Sequence, residues 1–299
     1  MSAALPDIVF TPALTALIVL ELGVLITGAS LLYQRRADLG ARLLGKSFAR
    51  LTPAPYPIND LFLGVIFAIA GGIVDQSIAV HFARAWAPPA EDGTPGLFEV
   101  LVGAGFQLGL LAGVTAMWLY LRAGRAKYAV PTSAVAPILP DPPRISAARA
   151  VAAGARAFVV LLPVVWLASF TWKTLLDALG VDAPPQDLVL IFIRTGDQRA
   201  LIAMVFFAVL IAPLTEELLF RVGLFRWLRT RVPRIVALLL PAVVFSLLHF
   251  SWAALLPLAV LAVGFSVAYE RSGHPLTPIT AHALFNLNTL VLLLVGFPS

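Results

Sequence analysis

The chain alternates between long apolar runs and short segments in which Arg, Pro and Asp collect. Eight runs reach or approach the roughly 20 mostly apolar residues that carry a helix across a bilayer. They lie at 12–33, 61–82, 97–121, 150–172, 199–225, 234–250, 252–269 and 276–297. The sixth and seventh are separated by almost nothing, which predicts a tight pair or a broken turn around Ser251. The stretch 173–198 is mixed, and its DLVLIFIR segment at 187–194 suits a helix lying in the interface. The pattern as a whole predicts an all-α, polytopic membrane helix bundle with about eight transmembrane helices.

Composition removes the soluble alternative. Hydrophobic residues make up 60% of the chain and charged residues 12%, about half the roughly 25% charge of soluble domains. Mean hydropathy is +0.92. There are no cysteines, so disulfides, thiolate chemistry and cysteine-ligated zinc are excluded. The start MSAALPD has no basic segment, and no small-residue cleavage site follows the first run, which therefore reads as a retained span.

A formal charge of +5 would suggest nucleic acid in a soluble protein. Here the basic residues mark sides of a membrane instead, and no nucleic-acid partner is expected. Arg35, Arg36, Arg42, Lys46 and Arg50 follow the first run. Arg122, Arg125, Lys127, Arg144 and Arg149 follow the third. Arg226, Arg229, Arg231 and Arg234 follow the fifth, and Arg271 the seventh. The alternate loops hold only Arg84, Lys173, Arg194 and Arg199, while Arg156 and Arg221 lie within runs. The positive-inside rule then places the basic loops in the cytoplasm and both termini outside. The Pro-rich, basic loop 123–149 suits a linker. It divides an amino-terminal membrane region, 1–148, from a second domain, 149–299.

In the first region the candidate chemistry is thin. Gly105, Gly109 and Gly113 put a small residue at every fourth position, a ridge that lets another helix approach closely. Glu21 and Asp75 are isolated acids, each near an interface, protonated or paired, because a charge at the bilayer centre costs about 2.5–3.5 kcal/mol. His81, near a span end, reads as interfacial.

The second region differs. The fifth run contains Pro213-Leu-Thr-Glu-Glu-Leu-Leu-Phe-Arg221. Glu217 and Arg221 are four residues apart on one helix face and can pair. Glu216 is turned about 100° away and must face something else. The candidates are His249, which ends Phe245-Ser-Leu-Leu-His249, and His282 with Asn286, again four apart on one face. Unpartnered polar groups are costly in an apolar interior, so one shared cavity for Glu216, His249, His282 and Asn286 is the economical arrangement. Such a cavity suits hydrolysis, with a carboxylate as general base on water, a histidine to hold that water, and amide and imidazole donors for an oxyanion. There is no H-E-x-x-H, no Gly-x-Ser-Gly and no pair of aspartates in Gly-rich spans. One tension remains. A helix drawn straight from 234 to 249 rises about 24 Å and carries His249 away from the side near which Arg221 and His282 sit.

Glu216-Glu217-x-x-x-Arg221, Phe245-x-x-x-His249 and His282-x-x-x-Asn286 together resemble the three motifs of the CAAX prenyl protease and bacteriocin-processing (Abi) family, over about 200–290. The resemblance implies an intramembrane endopeptidase cutting near the carboxyl terminus of a membrane-associated, in eukaryotic members prenylated, protein or peptide. It implies that Glu216 activates water, His249 helps to bind it, and His282 and Asn286 form the oxyanion hole. Glu217, Arg221 and Phe245 organise the site. No cofactor is favoured, although Glu216, His249 and His282 could ligate a divalent metal such as zinc. The expected partners are membrane lipids and the substrate. A non-catalytic scaffold or bacteriocin-immunity protein is the alternative, and a proton-coupled transporter a more distant one, since no repeated halves or paired broken helices are visible.

Overall fold

The computed structural model of the chain describes residues 11–34, 36, 51, 54, 56–123 and 145–296. Most of the 123–149 linker falls outside these residues, as do Arg35, Arg42, Lys46, Arg50, Arg125, Lys127 and Arg144. Regular structure among the described residues is helical, with no strand. The helices are α1 (Pro12–Gln34), α2 (Ile58–Trp86), α3 (Leu97–Ala123), α4 (Ala147–Ala178), α5 (Asp187–Arg194), α6 (Gln198–Leu228), α7 (Arg234–Leu247), α8 (Leu255–Ser272) and α9 (Leu276–Gly296). Seven of them are long and apolar enough to cross a membrane. The eighth expected span is the short α7, whose 14 residues rise about 21 Å. The chain is an integral, multi-pass membrane protein. The 187–194 segment forms α5, which buries Phe192.

Local chemistry sets the ends. Ser146 caps α4 by accepting the Arg149 amide, and Asp197 caps α6 by accepting that of Arg199. The Arg199 side chain and amide hold the Asp197 carboxyl below its usual range. Gly273, at φ +68°, closes α8 in the left-handed conformation that a glycine adopts without a Cβ penalty. Between α7 and α8 the chain turns through 248–254, with Phe250 at φ +48°, which is the broken turn expected around Ser251.

Packing divides the helices into two close groups. α2 and α3 lie along each other at backbone contact. A Cβ on Gly109 would collide with the Gly71 carbonyl, and one on Gly113 with that of Phe67, so the glycine ridge is a helix-crossing surface. α4 packs on α8 and α9, and α7 on α8. α1 lies against α4 and α9. There Gly28 sits over the Val159 carbonyl and the Pro163 ring. Pro163 has no N–H to offer the carbonyl four residues back, so that oxygen is free to face a neighbour. Glu21 proves to be paired: its Oε1 accepts from Trp166 Nε1 and Asn288 Nδ2, both at 3.1 Å. Behind the motif residues, Leu162, Leu261, Phe265, Ala281 and Phe285 form a continuous core between α4, α8 and α9.

Candidate active site

Helix α6 is not uniform. Ala212–Glu217 is α-helical, while Phe207–Ile211 before it and Leu218–Phe225 after it are π-helical. π-turns are rare and widen a helix by one residue per turn. Pro213 accounts for a consequence of the first. The Ala212 amide reaches back five residues to Phe207, and the next donor in that register would be Pro213, which has none. The Ala208 carbonyl is left to another donor, and Asn286 Nδ2 of α9 takes it at 2.7 Å.

The acid pair divides as its spacing predicts. Glu217 is fully buried, and its Oε1 accepts from Arg221 Nη1 at 2.9 Å. Arg221 is 1% exposed; Nη2 donates to the Ala262 carbonyl, and the guanidinium lies between the rings of Phe245 (4.8 Å) and Phe265 (5.3 Å). Glu217 Oε1 also takes a hydrogen bond from His282 Nδ1 at 2.8 Å. That bond assigns a proton to Nδ1, since a carboxylate oxygen only accepts. His282 Nε2 then points to Glu216 Oε2, 3.8 Å away. This is too long for a direct hydrogen bond and leaves both atoms open to a third group. The Glu216 side chain is 18% exposed, so it is the acid with access from outside the core.

Phe245, 1% exposed, joins the histidines. Its ring centroid is 4.6 Å from that of His249 and 6.1 Å from that of His282. His249 lies in the turn just beyond α7, its Nδ1 2.7 Å from the Phe245 carbonyl, so Nε2 is the ring nitrogen left for another partner. The short α7 therefore delivers His249 to the ring that also borders His282, despite the topology drawn from a straight span. Glu216, Glu217, Arg221, Phe245, His249 and His282 form one connected cluster, and Asn286 sits one turn along α9 from His282.

The donor geometry also bears on a metal. Among the described residues no three His, Asp or Glu side chains are placed to hold an ion.

Several contacts were not legible from spacing. Phe265 stacks on His282 at 5.1 Å and 29°. The carbonyls of Ala208, in the first π-stretch, and of Ala262, on α8, accept from the side chains of Asn286 and Arg221. Glu270, fully buried on α8, receives Arg229 at 2.5 Å and Arg234 at 2.6 Å, although both arginines read in sequence only as loop charges. Pro213 inside an apolar helix was the one local signal for the first π-stretch.

Residues 198–288 match the family model described as type II CAAX prenyl endopeptidase Rce1-like. The matched stretch contains Glu216, Glu217, Arg221, Phe245, His249, His282 and Asn286, so it agrees with the resemblance carried by the three motifs. No curated protein and no solved structure matches the chain.

Proposed function

Starting from a chain whose residues 198–288 fit the Rce1-like CAAX prenyl endopeptidase family, we propose that the protein is an intramembrane endopeptidase driven by a glutamate-activated water. The observation that carries the reading is the unequal pair: one acid buried and neutralised by Arg221, the other partly exposed and facing His282 Nε2. A water between Glu216 and His249 loses its proton to Glu216, and its oxygen attacks the scissile carbonyl. The tetrahedral oxyanion is met by the second N–H of Asn286 and by His282 Nε2. Nε2 can donate only from the doubly protonated ring, because Nδ1 already donates to Glu217. As the C–N bond breaks, Glu216 returns the proton to the leaving amine, giving a carboxylic acid and an amine, and the acid's proton then passes to the amine. Removing one oxyanion donor typically costs 10²–10³ in rate.

The substrate we propose is the carboxyl-terminal part of a membrane-associated, prenylated protein or peptide. An apolar cavity of about 260 Å³ between α3, α5 and α6 supports this. Its wall includes Ala208, whose carbonyl holds Asn286, and Ala212, one turn before Glu216. Purified protein would be given matched peptides with and without a prenyl group. Cleavage by wild type, abolished in Glu216→Gln and in His249→Ala with the fold retained, is the expected result. Cleavage surviving Glu216→Gln would remove the role given to that residue. Loss of activity on chelation with restoration by zinc would replace the metal-free reading.

A further inference from the structure

The amino-terminal spans supply no catalytic side chain in the reaction above, yet Ala54 and Tyr56, just before α2, are bonded directly to the carboxyl-terminal end of α6 and the turn after it. Tyr56 Oη donates to the Gly223 carbonyl at 3.1 Å. In return the Tyr56 carbonyl accepts from Trp227 Nε1 at 3.0 Å and from Arg231 Nη2 at 2.9 Å. Arg231 Nη2 also reaches the Ala54 carbonyl at 3.2 Å. Ala54 is 2% exposed and packs in one cluster with Phe225, Trp227 and Leu228, with Tyr56 against it. These bonds span more than 165 residues of sequence.

Their target is the second π-stretch, Leu218–Phe225, in which Arg221 is embedded. A π-turn is a less favourable register than the α-helix and persists where its surroundings hold it. At its end the Arg226 amide is shared between the carbonyls of Arg221, five residues back, and Gly223, three back. The Gly223 oxygen that takes part of this bond also accepts from the Tyr56 hydroxyl. The position of Arg221 along the helix axis follows from this register. Arg221 holds Glu217, and Glu217 holds His282.

We infer that Ala54 and Tyr56 form a clamp by which the amino-terminal region fixes the π register of α6, with Tyr56 as the positioning residue for Arg221 and so for His282. Burial raises the Tyr56 hydroxyl to about 12, against an unperturbed value near 10. The clamp bond is therefore intact below about pH 10 and lost only as pH rises toward 12. It will not add a limb to a rate profile measured between about pH 6 and 9.

The kinetic half of the test rests on the peptidase reading; the structural half does not. Tyr56→Phe keeps the ring and removes the hydroxyl. In full-length protein in detergent or nanodiscs, hydrogen exchange at 218–225 should quicken, with α4, α8 and α9 unchanged. On a prenylated peptide kcat should fall roughly three- to tenfold, the scale of one lost hydrogen bond, with KM within twofold and an unchanged profile between about pH 6 and 9. Unchanged exchange at 218–225 overturns the inference, as does faster exchange spread evenly over every helix. A loss confined to KM overturns it too. If wild type cleaves no peptide, the peptidase reading fails by itself, and the exchange pattern still decides the clamp. Should Tyr56→Phe fail to fold, Trp227→Phe, which removes one bond to the same segment, is read in the same way.

Discussion

The buried Glu217–Arg221 pair offers the sharpest test of how the site is held. Glu217→Gln keeps the shape and both acceptor geometries on Oε1 but removes the charge, leaving the guanidinium of Arg221, 1% exposed, without its hydrogen-bonded counter-ion. Arginine cannot shed its proton in a protein, so the charge stays. Breaking a buried pair from one side typically costs about 3–5 kcal/mol. At about 2–4 °C per kcal/mol for larger domains, the melting temperature should fall by roughly 6–20 °C. Arg221→Met leaves a carboxyl that can take up a proton, so it should cost less. The double variant Glu217→Gln/Arg221→Met buries no charge and should recover stability relative to Glu217→Gln, which gives a favourable coupling in a double-mutant cycle. The assay is thermal unfolding of purified protein in one detergent, followed by tryptophan fluorescence, with cleavage measured alongside. Because the negative charge beside His282 Nδ1 is still missing, the double variant should regain stability without regaining activity. Wild-type melting in Glu217→Gln, or a double variant less stable than both singles, would refute the argument.

Three further outcomes follow from the packing. Asn286→Leu should lower stability by about 1–3 kcal/mol, the cost of a buried carbonyl left bare, as well as slowing cleavage; unfolding and initial rates on one preparation check both. Gly109→Val should prevent the α2–α3 crossing, because its Cβ would meet the Gly71 carbonyl, while Gly103→Ala, which meets nothing within 4 Å, should be silent; size-exclusion profiles and melting curves distinguish them. Glu21→Ala should cost about 1–3 kcal/mol by leaving Trp166 Nε1 and Asn288 Nδ2 without their acceptor, and Glu21→Gln, which retains an oxygen, should cost less; denaturant or thermal curves in detergent measure the difference.

Much of the fold was legible because membrane helices announce themselves. Each apolar run maps to a helix, with α7 shorter than the run that predicted it. The glycine ridge was legible because small residues at every fourth position have few uses other than a close crossing. Glu217 and Arg221 were paired in advance by spacing alone, since four residues apart on a helix means one face. Glu21 was harder. A lone acid in a span must find partners, but nothing local says that they are an indole from α4 and an amide from α9.

What the sequence by itself determined was therefore whatever helical period and bilayer cost dictate: the spans, the small-residue face, the division of the acids into a paired and an unpaired one, and the His282–Asn286 face of α9. What only the tertiary structure decided was who meets whom across helices. Glu217 is shared between Arg221 and His282, Phe245 borders both histidines, Ala208 offers its carbonyl to Asn286, and Tyr56 reaches Gly223 from the far end of the chain. The physical reason is that helix spacing fixes neighbours along one element. Neighbours between elements depend on crossing geometry and on local departures from the α register, and the two π-stretches of α6 leave only Pro213 as a trace in the sequence.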